Sequence, residues 1–270
     1  MIGRAVGFGF ATARDAVARV LVKLGVSPNM LTLTGMAITA GAGACYAAGA
    51  GSRFGWSLDA HADANAWLLV ALGLLILSSA CDMLDGAVAR LGGKATRFGA
   101  FLDSTLDRYS DFAVYAGLAV HFAAARPANV TFVLLCMVAF FNAFMISYTR
   151  ARAEDLIDSC KAGFWHRGER SAAILIATFG HNIPALVVQQ ALLPLLTVLR
   201  RIGYTRARIN GRDPHADARK GPWWVRVQIW RWPRATAPYD LTCLLAILWL
   251  LAVRLPPADV LRDWLMHSGG

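Results

Sequence analysis

Charge is what this sequence has least of. Asp, Glu, Lys and Arg make up 16% of its 270 residues, against 57% hydrophobic. A soluble domain of this length carries more charge and clearer polar punctuation. Cysteine is sparse and unorganised: Cys45, Cys81, Cys136, Cys160 and Cys243 show neither CxxC nor CxxH spacing. Four of them lie inside apolar runs, where a thiol behaves as a small hydrophobe, so we read no disulfide framework and no zinc site. His61, His121, His181, His215 and His267 lack ligand spacing as well. Residues 5–24 mix basic positions into apolar ones and so do not form the clean apolar core of a secretory signal. No internal repeat is evident.

What the chain does have is apolar runs long enough to cross the hydrocarbon core of a bilayer. Candidate spans cover roughly residues 30–50, 66–91, 97–122, 129–149, 170–182 and 184–199. The first is rich in small residues (Gly35, Gly41, Gly43, Ala47), which permit close helix contact in lipid. Before it, Arg14, Arg19 and Lys23 recur among Val, Leu and Ala at helical spacing, the pattern of an amphipathic helix on the membrane surface. Gly25 and Pro28 end that helix.

The net charge of +10 suggests nucleic acid in a soluble protein; here its distribution sets orientation instead. Segments 1–28, 90–97, 150–170 and 200–238 hold 22 Lys/Arg, and the opposite loops only Arg53 and Arg126. That bias predicts a multi-pass protein of the inner (cytoplasmic) membrane with its N-terminus in the cytoplasm. Residues 1–28 then form a juxtamembrane helix and 29–202 a membrane domain. Residues 203–270 form an extension, basic and tryptophan-rich (Trp223, Trp224, Trp230, Trp232 among Arg226, Arg231 and Arg234), with a short apolar run at 241–253. Thirteen apolar residues are few for a span, so a seventh helix, a re-entrant segment and an interfacial helix all remain open. The basic, aromatic stretch suits an anionic leaflet better than nucleic acid.

Ionisable groups inside membrane segments are expensive and are functional candidates by default. Asp82 and Asp85 are three apart and share one face of the second span; Gly99, Asp103 and Asp107 are four apart and share one face of the third. A turn near Gly92–Gly93 makes these helices antiparallel, so both acidic pairs fall at the same, cytoplasmic end. Four carboxylates at close range need counter-charge. Hard divalent cations, Mg²⁺ or Mn²⁺, suit an oxygen-only site, and a pair of them can clamp a diphosphate. Gly86, Ala89 and Gly99 lack bulk, so backbone can approach a nucleotide or a neighbouring helix. Acids in membrane helices also serve ion-coupled transporters, or pair with Arg90, Arg97 and Arg108. Asp111 continues the 103–107 face by one turn and reads as a partner behind the ligands.

The spacing discriminates. Asp82, Asp85, Gly86, Ala89, Arg90, Gly99, Asp103 and Asp107 match DxxDGxxARx8GxxxDxxxD without deviation over 26 positions. This resembles the CDP-alcohol phosphotransferase motif, and Leu24-Gly-Val-Ser-Pro28-Asn29-Met-Leu-Thr32 is similar to that family's approach to its first helix. The resemblance covers roughly residues 15–205. It implies an all-α integral membrane protein: a six-helix transmembrane bundle behind an N-terminal juxtamembrane helix, homodimeric, with two divalent metal ions, Mg²⁺ or Mn²⁺, as cofactors. It implies Asp82, Asp85, Asp103 and Asp107 as metal ligands, with Asp107 also taking the acceptor's proton. Ser27, Pro28, Asn29, Met30, Gly86, Arg90 and Thr96 would contact the CDP-linked lipid donor, and CMP would be released.

The acceptor is read from arginines. Ser147-Tyr-Thr-Arg150-Ala-Arg152-Ala-Glu154, His166-Arg167-Gly-Glu169-Arg170 and Thr197-Val-Leu-Arg200-Arg201 resemble elements of bacterial phosphatidylinositol-phosphate synthases. The resemblance implies that Arg150, Arg167, Arg170 and Arg201 hold the acceptor's phosphate, and guanidinium groups suit phosphate. Arg150 stands where lysine is usual in that pattern, and His166 where an acid is. The expected reaction moves a phosphatidyl group from a CDP-diacylglycerol-type donor to a phosphorylated polyol, with inositol 1-phosphate preferred and glycerol 3-phosphate the alternative. The competing class is an ion-coupled secondary transporter.

Overall fold

In the computed structural model the described residues are 2–50, 65–214, 236–253, 255 and 259–268. The tryptophan-rich stretch, the loop holding Arg53, His61 and His215 lie outside them. Among the described residues the regular structure is all helical: α1 (Ile2–Lys23), α2 (Pro28–Gly49), α3 (Ala66–Leu91), α4 (Arg97–Ala124), α5 (Val130–Glu154), α6 (Arg167–Phe179), α7 (Ile183–Ile209), α8 (Ala237–Ala252) and α9 (Val260–Ser268).

Short polar side chains start the long helices by satisfying backbone N–H groups that a first turn leaves unpaired. Ser27 accepts from Met30 N, Asn65 from Trp67 N and Leu68 N, Thr96 from Gly99 N, and Asn129 from Phe132 N. Gly25, at φ 77°, supplies the left-handed residue that turns the chain from α1 into α2.

Among the described residues, four helices are long and apolar enough to cross a membrane: α2, α3, α5 and α7. Of the other two expected spans, α4 is 28 residues long but carries Arg97, Asp103, Asp107, Arg108 and Asp111 between its start and Asp111. α6 is 13 residues, about 20 Å at 1.5 Å per residue, short of a 30 Å hydrocarbon core. α7 runs ten residues beyond the expected limit of 199, carrying Arg200, Arg201, Arg206 and Arg208. The apolar run near 241–253 forms a 16-residue helix, α8.

Side chains sort as lipid demands. Leu69, Ile76, Met137, Phe141, Leu195 and Leu245 are each about half exposed. The centre is filled by small and medium apolar groups, among them Ala42, Ala71, Ala139, Ala143, Ala177 and Leu186. α2 packs on α3 and α4, α4 on α5, α5 on α7, and α3 on α1 and α6. The α2–α4 crossing depends on two glycines. A methyl group on Gly43 would overlap the Ala113 carbonyl, and one on Gly117 would overlap the Gly43 backbone, the close approach that small residues allow between membrane helices. Polar links cross the core: Tyr46 to Thr178 at 2.5 Å, Thr39 to Ser78 at 2.6 Å, and Asn142 Nδ2 to the Ala191 carbonyl at 2.7 Å.

Candidate functional site

The last three turns of α3 and the first three of α4 are joined by the short turn around Gly92 and Gly93, so their acidic faces meet at one end of the bundle. Oxygens of Asp82, Asp85 and Asp103 all lie within 4.8 Å of one another. Asp85 is buried, at 7% exposure, and Asp82 is exposed. The Thr32 hydroxyl, from α2, lies 2.8 Å from Asp85 Oδ2 and orients that carboxylate. Asp103 Oδ1 is buried without a hydrogen-bond partner among the described residues. A carboxylate oxygen left this way calls for a positive partner. Three clustered carboxylates, one with an orphaned oxygen, are a donor set that fits a hard divalent cation.

Asp107 joins the group through an arginine. Arg167, at the start of α6, places Nη1 2.5 Å from Asp82 Oδ1 and Nη2 2.6 Å from Asp107 Oδ1. Arg108 lies 3.7 Å from both Asp107 and Asp111, and Arg170 bonds Asp111 Oδ2 at 3.0 Å. Beyond Asp103 the acidic face of α4 is therefore matched by arginines: Arg167 at Asp107, then Arg108 and Arg170 at Asp111.

Beside the carboxylates, a cavity of about 240 Å³ opens between α2, α3 and α4. Its lining includes Pro28, Asn29, Gly86, Arg90 and Thr96, five of the seven expected donor contacts, together with Asp85 and Asp103. Gly86 and Gly99 leave room at its wall. Of the other two, Ser27 caps α2 and Met30 is exposed; neither lines the cavity. Two polar residues enter that sequence reasoning gave no role, Thr32 and Lys94. Thr32 follows Asn29 by three and Pro28 by four, so helical spacing alone places it on the same face.

The four acceptor arginines take different positions. Arg167 sits on the aspartates. Arg170 is buried on Asp111. Arg201 is 2% exposed and donates to the carbonyls of Ile146 and Ala162 and to His166 Nδ1. Arg150 is exposed and pairs with Glu154 at 3.0 Å.

Fold and site together define a helical membrane protein with a divalent-cation site beside a cavity flanked by Arg90 and Lys94. Residues 25–200 match the CDP-alcohol phosphatidyltransferase family, and the chain belongs to it. It is 32% identical to an archaetidylinositol phosphate synthase of Pyrococcus horikoshii, over 73% of this chain and 92% of that one. It is 34% identical to a phosphatidylinositol phosphate synthase of Streptomyces avermitilis, over 72% and 74%. Among solved structures, the Mycobacterium tuberculosis phosphatidylinositol phosphate synthase with CDP-DAG bound aligns with a TM-score of 0.60 at 26% identity, covering 71% of this chain and 92% of that one. The same enzyme has been solved with manganese and citrate, with a TM-score of 0.58 and 28% identity.

Proposed function

We propose that this chain transfers the phosphatidyl group of a CDP-diacylglycerol-type lipid to inositol 1-phosphate, releasing CMP. The observation that carries the proposal is the meeting of Asp82, Asp85, Asp103 and Asp107 beside the cavity lined by Pro28, Asn29, Gly86, Arg90 and Thr96. The relatives' names support the acceptor: they differ in the lipid (phosphatidyl or archaetidyl) and agree on inositol phosphate.

The donor's cytidine diphosphate lies in the α2–α3–α4 cavity, with Arg90 and Lys94 supplying positive charge and Ser27 holding the start of α2 that forms its wall. Met30 is exposed on the same first turn of α2. Asp82, Asp85, Asp103 and Asp107 hold two divalent cations, which when bound neutralise the diphosphate and polarise the phosphate under attack. Asp107 takes the proton of the acceptor hydroxyl, for which hydrogen-bond reach suffices. The hydroxyl oxygen forms the new bond to the phosphatidyl phosphorus, the bond from that phosphorus to the CMP oxygen breaks, and CMP leaves. Arg167 binds the acceptor's phosphate, exchanging its hold on Asp82 and Asp107 for a bidentate grip on phosphate oxygens. Arg150, Arg170 and Arg201 complete the basic surround.

This reading treats α2 to α7 as six membrane-crossing helices, with α1 on the cytoplasmic surface and the site at the cytoplasmic face. Residues 1–28, 29–202 and 203–270 are the units, and the working form is a homodimer in lipid. The excess of Lys/Arg on the loops at the aspartate end supports the orientation. The test is CMP release by purified protein given CDP-diacylglycerol, Mn²⁺ and one acceptor at a time. Turnover with inositol 1-phosphate is expected to exceed that with glycerol 3-phosphate, inositol or serine. Turnover with glycerol 3-phosphate alone would overturn the acceptor assignment.

A further inference from the structure

Helix α8 lies beyond the family match, which ends at residue 200, yet it is tied to the membrane domain along its whole length. At its start the Tyr239 hydroxyl donates to Glu169 Oε1 at 2.8 Å. Near its end Trp249 Nε1 donates to the Ala185 carbonyl at 3.0 Å, and Asn182 Nδ2 reaches the carbonyls of Leu250 at 2.8 Å and Val253 at 2.7 Å. Glu169 is in the first turn of α6, and Asn182 lies just past its last. α8 therefore runs parallel to α6 over the same depth. Beyond it, the Asp259 carboxylate accepts from Val130 N and Thr131 N, both at 3.0 Å. That contact is at the start of α5, the end of the bundle away from the aspartates. A helix lying on one face of the membrane could not reach both ends.

The first turn of α6 carries Arg167, Gly168, Glu169 and Arg170. His166, its N-cap residue, makes no side-chain cap hydrogen bond, and Gly168 has no side chain to pack. The turn is held by what its side chains grip: Arg167 on Asp82 and Asp107, Arg170 on Asp111, Glu169 on Tyr239. Residues 167 and 169 are about 200° apart around a helix of 3.6 residues per turn, so Tyr239 braces the side opposite the one Arg167 presents to the carboxylates.

We propose that α8 is a transmembrane strut, and that Tyr239 is a positioning residue which, through Glu169, fixes the turn bearing Arg167. The contact matters most when phosphate draws Arg167 off the aspartates, because the brace from α8 then remains while that anchor is gone. The proposal rests on the assignment of Arg167 to the acceptor's phosphate.

The test is the full-length Tyr239→Phe variant, which keeps the ring against Phe164 and removes one hydrogen-bond donor. The acceptor KM is expected to rise about 3- to 10-fold, the range that one lost hydrogen bond of ordinary strength gives. The donor KM and the melting temperature in detergent are expected to stay as in the wild type. In a Glu169→Ala background the same substitution should add nothing, since the bond is already gone. An unchanged acceptor KM, equal rises in both KM values, or additive effects in the double variant would each overturn the strut's role. Failure of the acceptor assignment is separate: it shows in the wild-type acceptor panel, where no phosphorylated polyol would support CMP release.

Discussion

Replacing Thr32 with valine isolates the contact that orients a candidate metal ligand. The Thr32 hydroxyl lies 2.8 Å from Asp85 Oδ2 and 3.1 Å from the Pro28 carbonyl; its single hydrogen is shared between them. Valine matches the shape and removes the donor, so no cavity complicates the result. Asp85 is only 7% exposed, so water is a poor substitute. A hydrogen bond to a charged group contributes about 1.5–3 kcal/mol, which is about one to two powers of ten in an equilibrium constant. Removing an outer partner of a metal ligand costs a similar 10- to 100-fold, roughly, in metal affinity. The Mn²⁺ concentration for half-maximal CMP release should therefore rise by about 10- to 100-fold, with kcat at saturating Mn²⁺ largely restored. Thr32→Ser keeps the hydroxyl and should behave as the wild type. An unchanged metal requirement, or a loss that excess metal cannot repair, would refute the reasoning.

Asp107→Asn removes the proposed base while keeping its size; CMP release should fall by about 10²- to 10⁴-fold with donor binding retained, and full activity would remove Asp107 from the role. Arg201→Ala leaves the carbonyls of Ile146 and Ala162 buried without their donor, at about 1–3 kcal/mol each, so the melting temperature should drop by several degrees. An unchanged melt with a raised acceptor KM would instead make Arg201 a direct phosphate ligand. Gly117→Val drives a side chain into the Gly43 backbone and should destabilise the bundle by about 1–3 kcal/mol or more; a wild-type melting curve would contradict the close α2–α4 approach.

How much of this was legible in the sequence depended on whether the partners were near in the chain. The aspartates were legible because helical spacing puts 82 with 85 and 103 with 107, and a short turn brings the two pairs to one end. The cavity beside them followed for the same reason: Gly86 and Arg90 are four apart and share a face of α3, and Thr96 opens the helix that carries Asp103. The arginines were not legible at this level. Arg167 meets Asp82 across 85 positions and Arg201 meets Ile146 across 55, and no local pattern separates a guanidinium that faces a carboxylate from one that ties down backbone. Positive-inside bias accounts for a basic residue at each of these places equally well, so only packing distinguishes the exposed Arg150 from the buried Arg170 and Arg201. α8 shows the same limit. Its length left a seventh span, a re-entrant segment and an interfacial helix open, because the 30 Å rule assumes that a helix faces lipid alone, whereas α8 lies against α6, itself only 13 residues long. Polar side chains of α6 and α7 meet it from Glu169 to Asn182. The neighbour that α8 follows is thus set by packing, which its own hydropathy does not record.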